Sequence, residues 1–388
     1  MLGAILGGLF VLLAVVMPIV TYMIWWLRKL LGWMQSRLGP QHVGWKGLLQ
    51  TPADALKLLS KEDVIPLLAD NLVFTLAPGI VFLAAFLAWV TIPLAPGLVV
   101  KDLNIGVVYI AAVTSVTVIG IVLAGWSSNN KYALVSAFRS AGQMVSYEVP
   151  LVLALLGPVM LAQSLSLGKI IEAQAQLPFF LGWFWLYQPI VFLCFAAAAM
   201  AENNVTPFDI VEAESEIVAG FHVEYSGMKF ALFFLAEFAN TLLVGIMTAI
   251  LFFGGWHSPV DSLLRPETWP GPQLGGVSLL HLLWGGAWLM GKTILFISVV
   301  FWIRATLPRV RIDQLMDLGW KVLIPITLAN LLVVGAAIAF GWPQWVLAAL
   351  NWGILIGLLL LGKTKPVPQA QRIPKAAVAA PAEATTQR

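Results

Sequence analysis

The stretch from residue 229 to 254, KFALFFLAEFANTLLVGIMTAILFFG, decides the fold. A helix crossing the roughly 30 Å hydrocarbon layer of a bilayer needs about 20 mostly apolar residues, and this run supplies them without a break. In lipid a lone segment can satisfy its backbone N–H and C=O groups only by coiling into a helix. The run therefore predicts a transmembrane helix. One acid, Glu237, lies well inside it, as Lys292 does in a later run. An ionisable side chain at that depth costs roughly 2.5–3.5 kcal/mol on insertion scales and by default marks an ion or proton path. A purely structural Glu237–Lys292 pair is the plainer alternative.

Working outward, comparable apolar runs occur at about 2–26, 72–93, 105–125, 143–165, 183–202, 279–303, 321–341 and 344–362, the last two separated by Gly341-Trp342-Pro343. The expectation is an all-α polytopic transmembrane helical bundle of about nine spans, residues 1–362. Residues 363–388 form a basic, Pro- and Ala-rich tail with too little apolar content to fold alone. The composition agrees: 60% hydrophobic and 11% charged, against about 25% charged in soluble domains. The first run has no preceding positive charge and no small-residue cleavage pattern after it, so it reads as a retained helix and not a signal peptide.

A single cysteine, Cys194, excludes a disulfide framework and all-cysteine iron–sulfur ligation. His42, His222, His257 and His281 are scattered, which disfavours a bis-histidine haem. Redox metal is expected on partners, and no metal site on this chain.

Short cytoplasmic loops carry an excess of Lys and Arg. With nine spans, all but four of the 22 basic residues fall on one side, in the odd-numbered connections and the tail. Lys101, Lys169 and Arg265 lie on the other side, and Lys292 lies within the seventh span. The expected orientation has the N-terminus outside and the C-terminus cytoplasmic, in a bacterial inner membrane.

Two loops stand out. From Trp45 to Asp63 the apolar residues Trp45, Leu48, Leu49, Pro52, Leu56 and Leu59 recur at three- and four-residue steps, which predicts an amphipathic helix lying in the interface. A helix covering the chain's own spans accounts for the pattern equally. Either could wall a side entrance for a long-tailed lipid. The other loop is acidic: Glu202, Asp209, Glu212, Glu214, Glu216 and Glu224 crowd between the fifth and sixth spans, flanked in the chain by Glu148 and Glu237. Thr206-Pro207-Phe208-Asp209 has the form of a helix start, with Thr as N-cap and Pro at the first position. Continued as a helix, it puts Asp209, Glu212 and Glu216 on one face. A solvated acidic face would explain such a run in a soluble protein. Between two spans, among Ile210, Val211, Ala213, Ile217 and Val218, poorly solvated carboxylates instead share protons and titrate as a set.

Several motifs together carry a resemblance: Met34-Gln35-Ser36-Arg37-Leu38-Gly39-Pro40, Ala53-Asp54-Ala55-Leu56-Lys57, Lys61-Glu62-Asp63, Ser146-Tyr147-Glu148, Pro207-Phe208-Asp209 and, above all, the block from Glu212 to Phe230, EAESEIVAGFHVEYSGMKF. Arg304-Ala305-Thr306-Leu307-Pro308-Arg309 and Asp313-Gln314-Leu315-Met316 continue it. The chain resembles the family of the H subunit (subunit 1) of NADH-quinone oxidoreductase, respiratory complex I. The resemblance implies a component of the membrane arm that forms the entrance of the quinone chamber and the start of the proton path. It places Arg37, Asp63, Glu214, Glu216 and Glu224 near the quinone, and Glu148, Glu202, Asp209, Glu212 and Glu237 along the path, which the residue reading extends to Lys292.

Quinone is the implied substrate, with FMN and iron–sulfur clusters in partner subunits and no catalytic activity in the isolated chain. The implied partners are the peripheral-arm quinone-site subunits, adjacent membrane subunits and lipid, with no nucleic acid. The chain departs from the family pattern at Leu27, Trp33, Gln41, His42 and Val205, where a charged or amide residue is usual. Two other readings stand beside this one: the resemblance also fits the homologous subunit of a membrane-bound hydrogenase or ferredoxin-dependent complex, and buried carboxylates would also serve a stand-alone ion transporter.

Overall fold

The protein is described by a computed structural model, covering residues 2–177, 182–210, 220–259, 261, 272–274 and 277–361. Helix α1 covers Leu2–Met34, α2 Gln50–Ser60, α3 Asn71–Leu87, α4 Gly106–Ser127 and α5 Lys131–Ala162. Next come α6 Leu167–Ala175, α7 Phe184–Tyr187, α8 Pro189–Glu202 and α9 Gly227–Phe252. A two-residue antiparallel strand pair, Gln273–Leu274 with Val277–Ser278, precedes α10, Leu279–Thr306. The chain ends in α11 Ile312–Asp317, a π-helical turn Leu318–Leu323, α12 Ile324–Ala339 and α13 Gln344–Leu361.

Among the described residues seven helices are long and apolar enough to cross a membrane, and Pro189–Glu202 and Gln344–Gly357 are shorter apolar helices. These nine occupy the nine expected runs. The last two are separate helices, joined through Gly341 in a left-handed conformation. Much of the outer surface is apolar, with Leu295, Leu332 and Trp302 well exposed, as suits lipid. Inside, helices approach closely over small residues: a Cβ on Gly125 of α4 would meet the Ala133 carbonyl of α5 at 2.7 Å.

The expected fifth span takes a different form, because it is broken at Gln188. Pro189 has no N–H and cannot continue the ladder of α7, so Gln188 leaves the helical region (φ −134°, ψ 58°) and α8 restarts with Pro at its head. With 14 residues, α8 is only about 21 Å long at 1.5 Å per residue. The carbonyls orphaned at the break are met from α13: Trp352 Nε1 donates to Leu186 O at 2.9 Å, and Asn351 Nδ2 to Tyr187 O at 3.0 Å. Asn330 of α12 donates to Asn351 in turn. A second irregularity precedes Pro325, whose missing N–H and ring widen the preceding turn to π geometry. Tyr147 of α5 seats on that turn, donating its hydroxyl to Leu315 O at 2.7 Å.

Among the described residues, most of the basic side chains lie at one end of the bundle. There the C-terminus of α4 meets the N-terminus of α3, Asp70 N–H donating to Ser127 O at 3.1 Å. Asp70 caps α3 by accepting from Leu72 N and Val73 N, and Asn130 caps α5 by accepting from Tyr132 N. The expected amphipathic helix of the first loop is α2, tethered to α1 by Arg28–Asp54 at 2.6 Å. Its Leu56 and Leu59 are exposed, while Leu58, with Leu59 at its side, lines the space facing α1 and α9. Residues 363–388 lie outside the described residues.

The helix start expected at Thr206 is not formed. The Thr206–Pro207 peptide is cis, and 203–210 is a series of turns. Its backbone acceptors are committed elsewhere: Pro207 O accepts from Val310 N at 3.1 Å, and Phe208 O from Gln143 Nε2 at 2.8 Å. Tertiary partners therefore prevail over a local helical turn.

Candidate functional site

Near the basic end, α3, α4, α5, α8 and α9 surround a cavity of about 140 Å³. Its polar lining is Thr117, Glu202, Asn203, Asn204, His222, Glu237 and Asn240, and its aromatic lining Phe221, Phe230, Phe233 and Phe234. Glu202 is there because α8 stops at it, with Asn203 as C-cap and Asn204 in a left-handed conformation. Buried Gln143 fixes this corner by donating to Ala201 O at 2.7 Å as well as to Phe208 O. Glu237 enters from α9, ten residues after Gly227, about 15 Å along the helix at 1.5 Å per residue.

The charges of Glu202 and Glu148 interact, and Glu148 accepts a hydrogen bond from Ser115 of α4. Glu202 and Glu237 both face the cavity, and Glu148 approaches Glu202 from α5. Asn204 Oδ1 and Asn240 Oδ1 are buried with no hydrogen-bond partner among the described residues. A cavity this size exceeds the ~30 Å³ share of one water several-fold and offers the polar partners that bound water requires. Chemically, such a set can hold and pass protons.

A second, apolar cleft of about 480 Å³ lies between α1, α2 and α9, lined by Val20, Ile24, Leu58, Met228, Ala231 and Leu235 with Arg28 and Asp54 at its edge. Phe230 and Phe234 line both spaces, so these two stacked rings, with centroids 6.1 Å apart, are the wall between them. The rim is held by short polar ties. Lys229 reaches Asp63 at 2.9 Å and lies 5.1 Å over the Phe74 ring. Ser226 Oγ accepts from Val64 N at 3.0 Å, pinning the end of the α2 loop to the head of α9. Asn130 Nδ2 donates to Glu224 Oε1 at 2.7 Å. Tyr225 stacks on Phe74 at 4.0 Å, and burial pushes its hydroxyl up to about 12. Burial likewise pushes His222 down to about 4, so its ring is neutral at physiological pH.

The family model described as NADH dehydrogenase matches residues 7–335. The chain belongs to that family. Similar proteins, each named as the H subunit of NADH-quinone oxidoreductase, include that of Dehalococcoides mccartyi (strain CBDB1), 48% identical over 355 residues, covering 91% of this chain and 93% of the relative. That of D. mccartyi strain 195 is 46% identical over the same length. That of Chlorobaculum tepidum is 45% identical over 336 residues, covering 85% and 90%.

Within this family member the residues singled out from sequence fall into groups. Glu202 and Glu237 are brought together at the cavity; Glu148 is bonded to Ser115 outside its lining, Asp63 pairs with Lys229 and Glu224 with Asn130. Glu212, Glu214 and Glu216 lie outside the described residues. Asp209 sits apart from the cavity lining, 3.1 Å from Arg309 of the loop after α10. Arg37 is exposed beyond α1, bonded to Gln35 at 2.6 Å, beside a separate hollow lined by Arg28, Gln41 and His42.

Lys292 does not meet Glu237. Its ammonium donates to Phe253 O, Gly255 O and His257 O at 2.6, 2.8 and 2.6 Å, capping the opposite end of α9. Of the departures from the family pattern, Leu27 and Val205 are buried, Val205 against Phe296 and Val300, while Trp33 packs edge-on to Trp26 at 5.7 Å. Sequence reading did not single out His222, Asn204 and Asn240; the apolar context of His222 in Phe221-His222-Val223 was the available signal for the first.

Proposed function

We propose that this chain is a membrane-arm subunit of a proton-translocating NADH-quinone oxidoreductase, forming the entrance of the quinone chamber and the first segment of the path that couples quinone reduction to proton pumping. The observation that carries this reading is the shared wall: Phe230 and Phe234 separate an apolar cleft from a carboxylate-lined cavity. The cleft suits a lipid-soluble quinone entering beside α2, whose exposed Leu56 and Leu59 fit the membrane surface. The cavity suits protons. Charge changes on a quinone at the rim, near Asp63, Glu224 and the acidic loop with Glu214 and Glu216, would be felt by Glu202 and Glu237 across one layer of rings, in a medium where charges interact strongly.

In this reading the basic end faces the cytoplasm of a bacterial cell, the N-terminus lies outside, and peripheral-arm subunits carrying FMN and iron–sulfur clusters dock there and supply the electrons. Arg37 stands on that face. Glu148, Asp209 and Glu212 extend the path, whereas Lys292, donating to three carbonyls beyond the far end of α9, serves as a cap and carries no proton. The whole complex carries the activity; the chain alone has none.

The test is the purified complex, reconstituted in vesicles, with Glu202→Gln or Glu237→Gln. Proton uptake linked to NADH-driven quinone reduction should fall at least about tenfold in each, as expected for loss of a proton-transferring group. Unchanged uptake in both variants, or purification of the chain as a monomer with ion-exchange activity, would sink the proposal.

A further inference from the structure

We infer that His222 hands protons between the rim carboxylates and the Glu202–Glu237 cavity, an inference that rests on the proton-path reading above. His222 lines the cavity with Glu202 and Glu237, and two residues on the chain reaches Glu224, held at the rim by Asn130. It is thus a titratable group of the cavity lining that stands two residues from Glu224 on the chain. Two aromatic edges fix the imidazole: Phe221 at 5.1 Å and 89°, and Phe230 at 5.4 Å and 62°. Its ring nitrogens make no hydrogen bond among the described residues, unlike a histidine built into a core, where a buried N–H finds a carbonyl.

A neutral imidazole carries a donor on one side and an acceptor on the other. It takes a proton from a carboxylic acid or water at the bare nitrogen, forming one N–H bond. It then releases the proton of the other nitrogen to a carboxylate, breaking one N–H bond. One proton moves, no electron moves, and a ring flip or return through water resets the tautomer. The depression of its pKa by burial keeps the imidazolium transient, so the site does not trap the proton it passes. Phe230 also walls the cleft, so an occupant there bears on the ring that seats His222.

The test uses the intact complex in vesicles. His222→Phe suits a site already lined by Phe221, Phe230 and Phe233, and should assemble while proton uptake falls at least about tenfold. His222→Ala should show the same loss, and added imidazole should restore uptake, which no packing role for His222 predicts. Full uptake in the assembled His222→Phe complex overturns the inference, as does a loss in His222→Ala that imidazole leaves unchanged. Should His222→Phe not assemble, His222→Ala with imidazole decides alone. Glu202→Gln and Glu237→Gln are measured alongside. Loss there with full uptake in His222→Phe removes this inference and leaves the proton path standing, whereas full uptake in all of them removes both.

Discussion

The Arg309 guanidinium lies 3.1 Å from the Asp209 carboxylate, tying the turn after α8 to the loop after α10. The Asp209 side chain is only 7% exposed while that of Arg309 is 43% exposed, so the burden of desolvation falls on the carboxylate. Taking away the cation withdraws the Arg309 charge from a buried carboxylate, whereas neutralising the acid lessens the need for it. Arg309→Leu is therefore expected to cost more than Asp209→Asn, on the order of 1–3 kcal/mol after allowance for the solvent around Arg309. Thermal melting of the purified complex, read by the loss of this chain from it, checks the order.

His222 gives a pH prediction with a definite sign. Its pKa falls from 6.5 in an unfolded chain to about 4 in the folded protein. Between those values the unfolded chain binds more protons, so stability is fully present above about pH 6.5 and is lost as pH falls toward 4. The His222→Phe complex lacks this contribution but keeps Glu202, Glu237 and Glu224, the carboxylates nearest the ring along the cavity and chain. The difference in melting temperature between native and variant should change across that window and be flat on either side. A difference that is flat throughout would contradict the neutral, buried ring.

The spans were legible because an apolar run in lipid has one backbone solution, and among the described residues the nine runs hold seven helices long enough to span and two shorter apolar ones. Their breaks were less so. Pro189 and Pro325 mark where helices fail, but whether the chain kinks, widens to a π turn or stops depends on partners such as Trp352 and Tyr147 that are distant in sequence. Thr206-Pro207-Phe208-Asp209 reads locally as a helix start, yet Gln143 and Val310 claim its carbonyls. At the site, Glu202 and Glu237 announced themselves as charges in apolar surroundings. Asn204 and Asn240 carry no such mark, since a neutral amide is costly only once its neighbours are known. Lys292 shows the converse: a charge at depth suggested a path, and three helix-end carbonyls account for its place.

Gly157 of α5 faces the broken span. A Cβ there would fall inside van der Waals contact with Gln188 Oε1 and within 3.2 Å of Val191. Gln188 is fully buried and donates through Nε2 to Gly157 O at 3.2 Å, so it cannot swing away without losing that bond. Gly157→Ala should destabilise the protein by about 1–3 kcal/mol, the usual cost of overpacking. Gly157→Ala combined with Gln188→Ala, which clears the side-chain oxygen, should recover part of the loss. Additive losses in the double variant, measured by denaturation of the complex, would count against the contact.

Lys292 separates a capping role from a proton-carrying one. Its three carbonyl partners follow α9 and, as backbone groups shielded from water, each costs about 1–3 kcal/mol if left without a donor. Lys292→Met removes all three donors at once, so the expectation is a marked fall in assembled complex, with Lys292→Arg restoring much of it because a guanidinium can still donate to several carbonyls. In whatever complex does assemble, proton uptake per quinone reduced should be normal, because Glu237 and the cavity lie at the opposite end of α9. Normal assembly of Lys292→Met with lost uptake would instead place this ammonium on the proton path and make its bonds to Phe253, Gly255 and His257 the ground state of a moving group.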